Sequence, residues 1–249
     1  MRRVLGLVVG LLIGLASTGC SSPASSERTV RVFAAASLTK VFTELGGQFE
    51  KSHPGVRVVF NFDGSSGLVD QLKGGAKADV FASADEKNMT NTVNASLTSG
   101  QQVIFASNVL TLVTAPGNPK KITGLNSTLT GTKLVICDVA VPCGSATTAL
   151  AAKLGITLDP KSKESKVTDV LGKVTSGEAD AGIVYATDAR GAGAKVEAVA
   201  IPGADQVVNR YPISVLAGAP QPQLAADFVQ LVTAQAGKDV LGAAGFGLP

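Results

Sequence analysis

From residue 29 onward, short aliphatic runs alternate with stretches whose apolar residues recur at helical spacing. "TVRVFAA" is a strand pattern. It is followed by "SLTKVFTELGGQFEKSH", where Leu38, Val41, Phe42, Leu45 and Phe49 share one helical face and His53-Pro54-Gly55 closes the stretch. The alternation continues through "VRVVFNF" and "SSGLVDQLKGG", then "ADVFASAD", then "KLVICDV" and "GSATTALAAKLG", then "KVTDVLGKVTSGEA" and "DAGIVYATDA". "QLAADFVQLVTAQAGKDVLGAAGF" reads as two terminal helices. Strands alternating with helices predict βαβ units and parallel pairing. Aromatics are 4% and Trp is absent, so the core is aliphatic, as strands buried on both faces require. Extended stretches at 104–115 and 207–215 interrupt the alternation. They predict crossovers between two lobes, with a site in the cleft between them.

Arg2 and Arg3 precede an apolar run at 4–16 and then "STGC". This is the order of a secretory signal, with an apolar run too short to span a bilayer comfortably. Gly19-Cys20 resembles a bacterial lipobox, although Ser17 stands where Leu is usual and Leu15 lies two residues further back. The expectation is a lipoprotein signal peptide at 1–19, lipidation of Cys20 and a flexible tether at 20–28. The domain would then be exported and held by lipid at the outer face of the cell membrane. An ordinary secretory signal cut elsewhere is the alternative. Without Arg2 and Arg3 the formal charge falls from +3 to +1, and the remaining basic residues are scattered, which argues against nucleic acid as a partner. Cys137 and Cys143, an even pair in an oxidising compartment, are expected to form a disulfide; two free small hydrophobes are the alternative. The single His sits in "SHPG" and no CxxC occurs, so a metal site has no support.

The chemistry concentrates where strands give way to helices. Ser37 follows three alanines, Ser65 and Ser66 lie in "FNFDGSSGL", and Pro142-Cys143-Gly144-Ser145 closes "DVAVPCGSAT". A serine at any one helix start, taken alone, caps its own helix. Three starts of small, uncharged residues at the C-terminal ends of parallel strands point instead to an anion. These turns contain no Arg or Lys, so the charge of such an ion would be spread over neutral donors. Hydrolytic chemistry lacks its parts: there is no GxSxG, the His lies outside these turns, and Asp63, Asp79 and Asp85 suit helix starts better than general-base roles.

"VFAAASLTKVF", "FDGSSGLVDQL", "ADVFASADEKNM", "PCGSATTAL" and "GIVYATDA", in this order, resemble the periplasmic molybdate-binding proteins of bacterial ABC importers. The resemblance implies an α/β, two-lobed periplasmic-binding-protein fold of type II character. Each lobe would be a mainly parallel sheet flanked by helices, with the ligand in the cleft. Residues 29–108 and 210–249 would form one lobe and 109–209 the other. It further implies no cofactor, molybdate or tungstate as ligand, a permease partner and a monomeric carrier rather than an enzyme. By the same resemblance the ion is held by the hydroxyl and N–H of Ser37, by Ser65 or else Ser66, by the N–H groups of Cys143 and Val167, and by the hydroxyl of Tyr185. Cys143 is a departure, since the family commonly has a small residue there. Read without the resemblance, Tyr185 is equally an interface aromatic with its tip in water. Sulfate or phosphate is the alternative cargo, and an enzyme on this fold the alternative class.

Overall fold

The computed structural model describes residues 28–249. The expected signal peptide, Cys20 and all of the tether except Arg28 lie outside the described residues, and Arg28 already belongs to the first strand. In chain order, β1 (Arg28–Ala35) leads through a single 3-10 turn at Ala36–Leu38 into α1 (Thr39–Ser52). Then come β2 (Val56–Asp63), α2 (Ser65–Lys73), β3 (Val80–Ala82), α3 (Glu86–Asn94) and β4 (Thr98–Asn108). After one residue the chain enters β5 (Leu110–Thr114), followed by β6 (Leu134–Cys137), α4 (Pro142–Lys153), β7 (Ser162–Glu164), α5 (Val167–Thr175), β8 (Ala181–Tyr185), α6 (Ala186–Ala192) and β9 (Glu197–Val199). It returns through β10 (Asn209–Leu216) and ends in α7 (Pro222–Thr233) and α8 (Gln235–Ala244). Among the described residues no helix is long and apolar enough to cross a membrane.

The strands form two sheets, ordered β2-β1-β3-β10-β4 and β7-β6-β8-β5-β9. The pairings make each sheet mixed in one way: four strands run in one sense, and β10 or β5 runs against them. The reversed strand is in each case the one by which the chain leaves a crossover. β4 carries the chain out of the first lobe and β10 carries it back beside β4, so the two are necessarily antiparallel. The helix-connected strands, β1 with β2 and β3, and β6 with β7 and β8, are parallel, as βαβ crossovers dictate.

Each sheet has its own core. Val41, Phe42, Leu45 and Phe49 of α1 are buried with Phe228 and Val232 of α7 on one face of the first sheet. Phe42 packs edge-on to Phe228 with ring centroids 5.9 Å apart. Leu68, Val69 and Leu72 of α2 and Met89 of α3 cover the other face. The second sheet buries Leu112, Val135 and Ile183 against Leu150 of α4 and Val170 and Val174 of α5. Three elements escape the apolar pattern. "EKNMTNTVN" forms α3 although it is mostly polar, because Asp85 caps it and only Asn88, Met89 and Thr92 turn inward. "ATDARGA", which follows the strand in "DAGIVYATDA" without an apolar stripe, forms the short α6. "SKE" pairs as the edge strand β7, where charges keep the outer rim from pairing with another chain.

The crossovers lie side by side. Asn108, the last residue of β4, is opposite Asn209, the first of β10. Both side chains are buried and both reach into the second lobe: Asn108 Nδ2 donates to Thr187 Oγ1 at 2.7 Å, and Asn209 Nδ2 to the Tyr185 hydroxyl at 3.0 Å.

Candidate functional site

Four helix starts meet around one small cavity between the lobes. Ala35, Ala36 and Ser37 line it ahead of α1, Gly64 and Ser65 at α2, Val141, Pro142 and Cys143 at α4, and Lys166 and Val167 at α5; Asp63, Ala84 and Tyr185 complete the wall. The structure therefore brings Ser37, Ser65, Cys143, Val167 and Tyr185 together, while Ser66 is not in the lining. The cavity leaves about 20 Å³ for the centres of water-sized atoms. One water needs about 10–15 Å³ on that measure, so the space suits a compact inorganic ion and excludes an organic solute.

None of these four starts has a side-chain cap. The serines do not cap their own helices, contrary to what each would do taken alone. Gly64 takes the cap position of α2, and the Ser65 hydroxyl instead accepts the Ala84 N–H at 3.0 Å. The Ser37 hydroxyl pairs with that of Tyr211 at 3.1 Å. The first N–H groups of a helix have no carbonyl within it to bond. Those of Cys143 and Val167 thus remain as donors, backed by the positive ends of α4 and α5. By contrast α3, whose first residues do not line the cavity, is capped by Asp85, which accepts from Asn88 N–H at 2.8 Å.

The third turn is braced. Cys137 at the end of β6 is bonded to Cys143 in the first turn of α4, with Cα atoms 5.7 Å apart and both residues buried. The connecting loop doubles back so closely that a Cβ at Gly144 would fall 1.8 Å from the Asp138 carbonyl oxygen. Gly64 is needed for space as well. Its φ of −60° suits any residue, but a Cβ there would fall 2.2 Å from the carbonyl oxygen of Ser165 in the other lobe. The lobes meet at this glycine.

Two charged residues correct the expectation of a wholly uncharged lining: Lys166, the residue before α5, and Asp63. Asp63 faces inward on the protein's own account. One carboxylate oxygen accepts Gly64 N–H at 2.8 Å and the other the Gln71 amide at 3.3 Å. The sequence pattern carried no signal for Lys166, because it precedes the helix start that mattered. Asn209, Ala84 and Tyr211, which hold the hydroxyls, were also missed: Ala84 lies in the quoted "ADVFASADEKNM" but acts through its backbone N–H, and Asn209 and Tyr211 lie on β10, outside the turns.

Burial raises the Tyr185 hydroxyl well above its ordinary range, and the neighbouring Tyr211, Asp85 and Asp188 reinforce this, so it stays a proton donor. Burial raises Tyr211 likewise, against the bond to Ser37. Asp188, in the first turn of α6, accepts Tyr185 N–H at 3.1 Å, yet burial pushes its carboxyl up to about 7. It lines a separate groove of about 680 Å³ beside the cavity, together with Lys40, Arg190 and Lys195.

Three outcomes follow from this geometry. Gly64→Ala keeps the lobes apart: small-angle scattering should give a larger radius of gyration and anion binding should weaken, and an unchanged radius would refute the contact. Reduction of Cys137–Cys143 should cost the unliganded fold no more than about 2 kcal/mol, since the closed loop is short, while anion affinity falls further than that loss explains. Calorimetry with and without reductant decides. Asp188 contributes a pH effect of definite sign. Its folded pKa lies above the ordinary carboxylate value of 3.8, so folding favours the protonated form. Stability from this group is greatest below about pH 4, declines between there and about pH 7 and is level above. Asp188→Asn keeps an acceptor for Tyr185 N–H, so it should raise the melting temperature at pH 8 and leave it unchanged at pH 4.

The chain matches the bacterial extracellular solute-binding protein family over residues 30–247. Molybdate-binding protein ModA of Mycobacterium tuberculosis is 48% identical to it over 253 residues, which cover 98% of this chain and 97% of that protein. Molybdate-binding protein ModA of Escherichia coli is 34% identical over 87% of this chain and 88% of its own length. Among solved structures, the periplasmic molybdate-binding protein of Azotobacter vinelandii superimposes with a TM-score of 0.78 at 25% identity, covering 88% of this chain and 99% of that one. A family match over nearly the whole described chain, and close relatives aligned end to end, agree with the bilobed fold and its cleft: the chain belongs to the bacterial extracellular solute-binding proteins, within the molybdate-binding ModA family.

Proposed function

We propose that this protein captures molybdate, and tungstate with it, outside the cell and delivers the ion to the permease of an ABC importer. The observation that carries the reading is the convergence of four uncapped helix starts and one buried tyrosine on a cavity of ionic size. In this reading Ser37 and Ser65 give hydroxyls, Cys143 and Val167 give N–H groups, and Tyr185 gives a phenol proton to a tetrahedral dianion. The ligand is cargo, no cofactor takes part, and the protein acts as a monomeric carrier rather than an enzyme. Residues 29–108 with 210–249 move as one lobe and 109–209 as the other, pivoting at the paired crossovers. Cys20, once lipidated, anchors the domain to the outer face of the cell membrane through the tether that ends where β1 begins at Arg28.

Selectivity rests on size. Molybdate, tungstate and sulfate are all tetrahedral dianions near neutral pH, so net charge does not separate them. Sulfate is the smallest and leaves donors stretched or unused in a dry site, and such losses fall steeply with geometry. The test is calorimetry and thermal shift of the mature protein against molybdate, tungstate, sulfate and phosphate. Molybdate and tungstate should agree within about ten-fold, with sulfate at least a hundred-fold weaker. Ser37→Ala, Ser65→Ala and Tyr185→Phe each delete a bond to a charged oxygen of about 1.5–3 kcal/mol, and each should weaken molybdate by roughly ten-fold to a hundred-fold. Sulfate competing on equal terms would replace this reading with a general oxyanion carrier, and no shift with any oxyanion would end it.

A further inference from the structure

We infer that Asn209 is a positioning residue of the ion site: it occupies the acceptor side of the Tyr185 hydroxyl and thereby aims that hydroxyl's proton at the ligand. Asn209 opens β10 at the crossover, 6% exposed, held in register opposite Asn108. Its amide nitrogen makes two bonds, to the Ala84 carbonyl at 2.9 Å and to the Tyr185 hydroxyl at 3.0 Å. The amide has only one workable orientation. The Ala84 carbonyl accepts and never donates, so the NH2 end must face it. The second proton of the same nitrogen then goes to the Tyr185 oxygen, which acts there as acceptor. A hydroxyl has one proton to give, and with the amide arriving as donor that proton is left for another acceptor: the neighbouring Tyr211 hydroxyl, or an ion in the cavity that Tyr185 lines.

The other end of the amide shows that this orientation is not chosen for stability. Asn209 Oδ1 is buried and has no hydrogen-bond partner. An unpaired buried acceptor is unfavourable; an apolar side chain of the same volume would avoid it but would leave the Ala84 carbonyl and the Tyr185 hydroxyl without their donor. The residue is therefore held for what its nitrogen does. The same device acts on the first lobe: the N–H of Ala84 donates to Ser65 Oγ, so that hydroxyl too is committed as acceptor on the protein side and left to donate on the other. Ala84 thus stands between Ser65 of one lobe and, through Asn209, Tyr185 of the other. The consequence for a ligand is directional. Donors fixed this way favour an oxyanion that has shed all its protons over one that must itself donate a hydrogen bond.

This assignment rests on the molybdate reading above, and the test separates the two. Asn209→Leu removes the amide and its orphaned oxygen together. Calorimetry on the mature chain should show molybdate bound about ten-fold more weakly, with the unliganded melting temperature little changed, because losing the bond to the Ala84 carbonyl offsets removing the orphaned oxygen. In a Tyr185→Phe background the same substitution should add no further loss, whereas in a Ser65→Ala background the loss should persist. A readout without ligand comes from tyrosine labelled with ¹³C at Cζ, which gives two resonances because the chain has two tyrosines. Asn209→Leu should move the Tyr185 resonance in the unliganded protein. Wild-type affinity in the single variant, an undiminished loss in the Tyr185→Phe background or an unmoved resonance would overturn the assignment. A wild-type protein that binds no oxyanion but whose Tyr185 resonance still responds would instead overturn the cargo and keep the amide-to-hydroxyl bond.

Discussion

A doubly charged ion leaves water only if every hydration contact is replaced, and in the proposed carrier the replacements are the N–H groups that helices leave unpaired at their starts. That requirement orders the rest of the molecule. Helix starts lie at the C-terminal ends of strands, so the strands that feed them must end at a common edge, as β1 and β2 do in one sheet and β6 and β7 in the other. Two edges must then face each other, which β4 and β10 achieve by carrying the chain across and back. Capping side chains would satisfy the N–H groups locally and disarm the site. Their absence at α1, α2, α4 and α5 leaves the N–H groups there to water or to a ligand.

The hydroxyls obey a second rule, that of direction. An N–H donates wherever it points, but a hydroxyl donates or accepts according to its company. Ser65 receives Ala84 N–H, and Tyr185 receives the Asn209 amide. The groups with freedom of sign have had it removed by their neighbours: Ala84 in the cavity wall and Asn209 behind it. Charge is handled with similar restraint: Asp63, the acid in the lining, is occupied by Gly64 and Gln71.

Much of this was legible in the residues. The apolar face of α1 and the strand-to-helix turns with their serines follow from periodicity and from the small residues at 34–37, and the two breaks in alternation coincide with the crossovers. What stayed hidden was hidden for physical reasons. α3 is held by a cap and three inward residues, too few to make a periodic stripe. The reversed sense of β5 and β10 depends on which way the chain is travelling when it crosses, and strand composition does not record direction. Lys166 and Asn209 come to the cleft through positions that only the arrangement of the two lobes defines. Asn209 in particular sits in "VVNRYP", where nothing local distinguishes it from a polar residue at a strand start.

The placement of β10 also governs the order in which the molecule is completed. It lies in the interior of the first sheet, between β3 and β4, although it arrives after the whole of the second. The second lobe is one continuous stretch of chain and closes with local connections. The first lobe has to wait across an intervening loop of about a hundred residues, and closing so long a loop costs entropy before any contact is returned. A chain appearing from its N-terminal end therefore presents β2-β1-β3 as an unfinished sheet and β4 as a strand without a partner, and the stretch from β10 to the C-terminus is what joins them. The same strand that carries Asn209 to the ion site is the one that makes the first lobe a folded body at all, so assembly of the site and completion of the fold are a single event.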